Sequence, residues 1–90
     1  MYKLFVSNQF SRDLKLARKR GLDVAKLTAI VTKLQNGQKL PPKNKDHNLI
    51  GDYKGCRECH VTPDWLLIYS VNTEINLLKL LRTGTHSDLF

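Results

Sequence analysis

The sequence predicts an α+β domain of order β-α-α-β-β-β, with two N-terminal helices packed on one face of an antiparallel sheet. Three observations carry that prediction. Apolar residues recur at helical spacing from Phe10 to Leu34, β-forming runs fill the stretch from Cys56 to Arg82, and Pro41-Pro42 interrupts the chain between them. Ninety residues make a single domain, 1–90, because a chain of this size buries only about 60–68% of its unfolded surface and cannot support two cores.

Tyr2-Lys3-Leu4-Phe5-Val6 is rich in β-formers and reads as the first strand, and Ser7-Asn8 suit the start of a helix. Phe10, Leu14 and Ala17 then recur at i, i+4, i+7, with Arg12, Lys15, Arg18 and Lys19 on the remaining surface and Gly21 closing the segment. Asp23 caps a second helix in which Val24, Leu27, Val31 and Leu34 form the apolar stripe, ending around Asn36-Gly37. The segment Gln38 to Asp46 cannot continue it, because Pro41 and Pro42 lack backbone donors, so it reads as a lysine-bearing loop. Cys56–Val61, Trp65–Val71 and Ile75–Arg82 follow as three strands separated by Thr62-Pro63-Asp64 and Asn72-Thr73-Glu74. Strands in sequence imply a meander, with the helix pair on one face and the other face partly open.

Fifteen Lys and Arg against eight Asp and Glu give a net charge of +7 and an isoelectric point near 9.7, which meets the criterion for a nucleic-acid binder. The charge is unevenly spread. Residues 1–45 hold eleven Lys/Arg and two acids, and residues 46–90 hold four and six, which separates electrostatic attraction from chemistry. No apolar run reaches membrane-spanning length and no signal-peptide pattern opens the sequence, so a cytoplasmic chain with reduced thiols and no membrane partner is expected.

All three histidines, His47, His60 and His86, fall in the more acidic half at the edges of predicted elements. Strand alternation puts Cys56, Glu58 and His60 on one face and Arg57, Cys59 and Val61 on the other, with His60 projecting toward Asp64. Metal-free RNA cleavage needs a base for the 2′-OH, an acid for the 5′-oxygen and cations for the phosphorane. Imidazoles titrate in the range that suits the first two tasks. Lys54, Arg57 and Arg82 are the candidate cations, and Trp65 and Phe90 the candidates for stacking on an unpaired base. Core packing is the competing role for Trp65, and ordinary surface charge for the arginines.

Three blocks of the second half resemble the YafQ branch of the RelE-type toxins: Asp46-His47 with Leu49 and Gly51; Gly55, Arg57-Glu58, His60 and Pro63 through Tyr69; and Arg82 through Phe90. The resemblance implies a ribosome-dependent mRNA endoribonuclease of a type II toxin–antitoxin system, with a RelE-like fold. It further implies a cognate DinJ-type antitoxin, contact with ribosome and mRNA, contact with DNA only through the antitoxin, and no metal or cofactor. By position, His47, His60, Asp64, Trp65, His86 and Phe90 match that branch's functional residues, and His86 takes the proton-donor role.

Two rivals compete with this reading. Cys56-Arg57-Glu58-Cys59-His60 fits the CxxCH pattern of c-type haem attachment, although it lies in a β-rich region. Residues three apart on one strand point to opposite faces, which argues against a Cys56–Cys59 disulfide, and zinc lacks further ligands. The second rival is a non-catalytic RNA- or protein-binding module, for which the histidines would be dispensable.

Overall fold

The fold, taken from a computed structural model that describes residues 1–90, opens with β1 (Lys3–Val6), α1 (Asn8–Lys19) and α2 (Val24–Gln35). The two helix starts lie where side-chain caps place them. Ser7 Oγ accepts the Phe10 N–H and Asp23 accepts the Ala25 N–H, each satisfying a donor with no partner inside its helix. Phe10, Ala17, Leu27, Ile30 and Leu34 are the buried helical positions, and they pack on one face of the sheet.

The second half contributes β2 (His47–Asn48), β3 (Arg57–Thr62), β4 (Trp65–Asn72), β5 (Leu77–Gly84) and a terminal helix α3 (His86–Leu89). Strand order across the sheet is β1-β5-β4-β3-β2. β3, β4 and β5 form the expected antiparallel meander, and the two long helices cover one face. The sheet as a whole is mixed, however, because β1 pairs parallel to β5, Lys3 opposite Leu77 and Val6 opposite Leu80. The helix pair returns the chain across the sheet, and that permits a parallel edge. The last strand begins two residues later than expected. Asn72 Oδ1 accepts the N–H groups of Glu74 and Ile75 and Asn76 sits at φ +56°, so these residues make the turn.

β4 lies at the centre and is buried on both sides from Trp65 to Tyr69. Trp65, Leu67 and Tyr69 join the helix-side core, and Leu66 and Ile68 face the other way, under Leu89 of α3. Trp65 is 1% exposed, so it is a core residue with no face free for a base. Its indole N–H donates to Thr83 Oγ1 at 2.8 Å, and the Thr83 hydroxyl donates onward to the Leu66 carbonyl at 2.7 Å. Trp65→Phe is expected to lower stability by about 1–2 kcal/mol through the lost hydrogen bond and volume. Denaturant unfolding checks the loss.

The lysine-bearing loop is fastened. It contains a 3₁₀ turn at Pro42–Asn44, and the buried Asn44 amide donates to the His60 carbonyl at 2.6 Å. That bond ties the start of β2, and with it His47, to β3.

Candidate active site

Ladder register builds the site on the sheet face opposite α1 and α2. His47 lies opposite Glu58, Glu58 opposite Ile68, and Ile68 opposite Arg82, one row crossing four strands. The neighbouring row is His60, Leu66 and Gly84. Because side chains alternate along a strand, Glu58 and His60 share this face. Leu66 and Ile68 form its apolar floor.

The carboxylate of Glu58, only 7% exposed, stands between two imidazoles. Its Oε1 is 3.5 Å from His47 Nε2 and 3.8 Å from His60 Nε2. Each ring is oriented from its other side: Nδ1 of His47 lies 2.6 Å from the Lys45 carbonyl and Nδ1 of His60 lies 3.2 Å from the Pro63 carbonyl. A carbonyl oxygen only accepts, so each Nδ1 carries the hydrogen and Nε2 is the atom turned to Glu58. Unless one of the facing groups is protonated, lone pairs confront lone pairs. The cluster thus turns three proton-accepting atoms toward one another.

The expected partner of His60, Asp64, is exposed in the β3–β4 turn and makes no hydrogen bond or ion pair. Glu58 occupies that partnership instead, because alternation within β3 brings it closer than the turn brings Asp64. Glu58 did not stand among the expected site residues, although the i, i+2 spacing to His60 was a usable signal.

Of the three expected cations, Arg57 is directed away from the histidines. It pairs with Asn48 in the ladder, donates to Asp46 at 3.2 Å and to Asn48 at 2.6 Å, and shares Asp46 with the Tyr69 hydroxyl. The hydrogen bond to Asp46 raises the guanidinium's pKa, against the effect of burial. Arg82 shares the row of Glu58. Its Nε and Nη2 donate to Asp13 of α1 at 2.8 and 3.2 Å, and Asp13 first and the Tyr53 hydroxyl second raise the guanidinium's pKa. Lys54 is exposed on the loop that also carries Tyr53, and it has no ion-pair partner.

Burial by itself would raise the Asp13 pKa, but hydrogen bonds from Arg82, Gln9 and the Thr83 N–H outweigh it and hold the carboxyl below its ordinary value of 3.8. A carboxyl lowered in this way stabilises the fold above its unfolded pKa, and that contribution is lost as pH falls through the lower folded value. Asp13→Asn is expected to destabilise by about 1.5–3 kcal/mol near neutrality. Urea titrations checking this are expected to show the gap to wild type closing as pH drops below about 4.

α3 brings the last two residues to the rim. His86 is its first residue, Phe90 follows its end, and the two rings are 5.0 Å apart. Tyr53 meets Phe90 edge-on at 5.7 Å. Phe90 is 55% exposed and so still offers an aromatic surface, unlike Trp65. The cysteines stay free and lie in different apolar clusters, Cys59 in the helix-side core and Cys56 beneath α3. Cys59 has no exposed surface, and burial pushes its thiol up to about 12. Haem attachment through Cys56 and Cys59 is thereby excluded on steric grounds.

Fold and site together define a small α+β domain that carries an acid–base cluster on an open sheet face beside a strongly basic first half. The family model described as the bacterial toxin of type II toxin–antitoxin system, YafQ, matches residues 2–90. The mRNA interferase toxin YafQ of Escherichia coli K12 is 49% identical over 85 residues, covering 93% of this chain and 90% of the relative. The crystal structure of YafQ from E. coli BL21(DE3) superposes with a TM-score of 0.93 at 45% identity, covering 100% of this chain and 99% of the other. The YafQ-type chain in the E. coli DinJ–YafQ toxin–antitoxin complex gives 0.89 at 47% identity, covering 99% and 97%. The chain belongs to the YafQ family of bacterial type II toxins.

Proposed function

We propose that this YafQ-family toxin, an mRNA interferase and so an endoribonuclease, cuts messages held on the ribosome by metal-independent acid–base catalysis. The observation that carries the proposal is the Glu58 carboxylate set between His47 and His60 on an open face that ends at His86. In the step proposed, a base removes the 2′-OH proton, O2′ bonds to the adjacent phosphorus, and the P–O5′ bond breaks as an acid protonates O5′. The Glu58–His47–His60 cluster is the proton acceptor and His86 the donor. Arg82, held by Asp13, offers its guanidinium charge to the phosphorane oxygens, and exposed Lys54 adds positive charge. Phe90 supplies a stacking surface for an unpaired base.

An acidic antitoxin of the DinJ kind is the proposed inhibitor, supported by DinJ's association with E. coli YafQ and by this chain's +7 charge. DNA is reached only through that antitoxin. No helix is long and apolar enough to cross a membrane, and the proposed site of action is the cytoplasm, where ribosomes are.

The test is a pair of reporter messages that differ only in the start codon, mixed with the purified toxin and ribosomes. Cleavage confined to the translated message is expected. Equal cleavage of both would remove the ribosome from the proposal, and cleavage of neither would leave an RNA-binding module.

A further inference from the structure

We infer that Arg20 and Asp88 form a positioning pair that sets the direction of the His86 ring. The inference rests on the reading of His86 as the acid. A four-residue helix lacks the internal bonds to hold itself, so the orientation of α3 depends on what grips it. Leu89 is buried against Leu66 and Ile68 and fixes one side. The other side is fixed through Asp88. Arg20, which follows the last residue of α1, donates from Nη1 to Asp88 Oδ2 at 2.6 Å and from Nη2 to Oδ1 at 3.2 Å. The same Oδ2 accepts the Thr85 N–H at 2.9 Å, and the Asp88 N–H donates to Thr85 Oγ1 at 3.2 Å. Asp88 is therefore both the capping-box acid of α3 and the ligand of an arginine 68 residues earlier.

His86 sits between Thr85 and Asp88 in the one turn those bonds define, so rotation of Asp88 about the helix axis carries the imidazole with it. Gly84 allows the fit. A Cβ at that position would lie 2.9 Å from Asp88 Oδ2 and 3.0 Å from Asp88 Cβ. Asp13 lies seven residues before Arg20, two turns along α1, and grips Arg82. One helix thus fixes both the candidate phosphate cation and the helix of the candidate acid, although it packs on the opposite side of the sheet. An exposed ion pair adds little to stability. With both oxygens engaged, its contribution here is geometric.

The experiment is single-turnover cleavage on saturating ribosome–message complex by Arg20→Ala, Arg20→Lys, Asp88→Asn and His86→Gln, together with the NMR signal of the His86 ring. Arg20→Ala is expected to lower the rate constant about 10- to 100-fold, the scale on which a misplaced group loses rate, without changing the half-saturating concentration. Arg20→Lys, which keeps one charged donor, is expected to recover part of the loss. Asp88→Asn, which keeps an acceptor for the Thr85 N–H, is expected to follow Arg20→Ala. The His86 ring signal, set by the Phe90 ring beside it, is expected to move toward its unstructured position in both.

An unchanged His86 signal, or rates within about twofold of wild type beside an inactive His86→Gln, would overturn the inference. A raised half-saturating concentration with an unchanged rate would overturn it too, by making Arg20 an RNA contact. If His86→Gln itself keeps the wild-type rate, it is the acid assignment that fails.

Discussion

His86→Gln is expected to lower the cleavage rate on saturating ribosomes by at least about 100-fold, the lower end of what a general acid contributes. Glutamine retains polarity and comparable length but has no proton to transfer to the departing 5′-oxygen. The ring is exposed at the first position of α3, so the same change is expected to alter stability by no more than about 0.5 kcal/mol. Rate and stability therefore separate at this residue. Stopped assays at saturation check the first and urea unfolding the second. A rate within about threefold of wild type would assign the acid elsewhere.

Glu58→Gln is the second large effect, and its sign differs between activity and stability. Removing the carboxylate takes away the group on which both Nε2 atoms converge, and a loss of about 100-fold or more in rate is expected if the cluster is the proton acceptor. The carboxylate is also nearly buried, and burying a charge without strong hydrogen bonds is unfavourable. The neutral amide is therefore expected to leave thermal stability unchanged or raised. Full activity in Glu58→Gln would exclude the cluster as base. A marked loss of stability would instead make Glu58 a structural anchor.

Much of this was legible in the sequence wherever the cause is local. Ser7 and Asp23 announce their helices because a cap acts within three residues. Trp65 to Tyr69 announce a strand buried on both faces because every position is apolar or aromatic. What depended on pairing between distant segments was not legible. The parallel partnership of β1 and β5 and the two-residue strand that puts His47 opposite Glu58 are both fixed by register.

The terminal segment His86–Leu89 is a helix. Thr85 and Asp88 stand at capping-box spacing, a local signal that could have revealed it. Asp13 lies among the basic residues of α1, and only the fold brings it to Arg82.

The chemistry of the cut ends tests the central claim most directly. If a 2′-OH activated on this sheet face is the nucleophile, the upstream fragment carries a 2′,3′-cyclic phosphate and the downstream fragment a free 5′-OH. Ligation and mass analysis of the two fragments distinguish this from its alternative. A 3′-OH on the upstream fragment and a 5′-phosphate on the downstream one would mean that water is the nucleophile, and would contradict the mechanism assigned to Glu58, His47, His60 and His86.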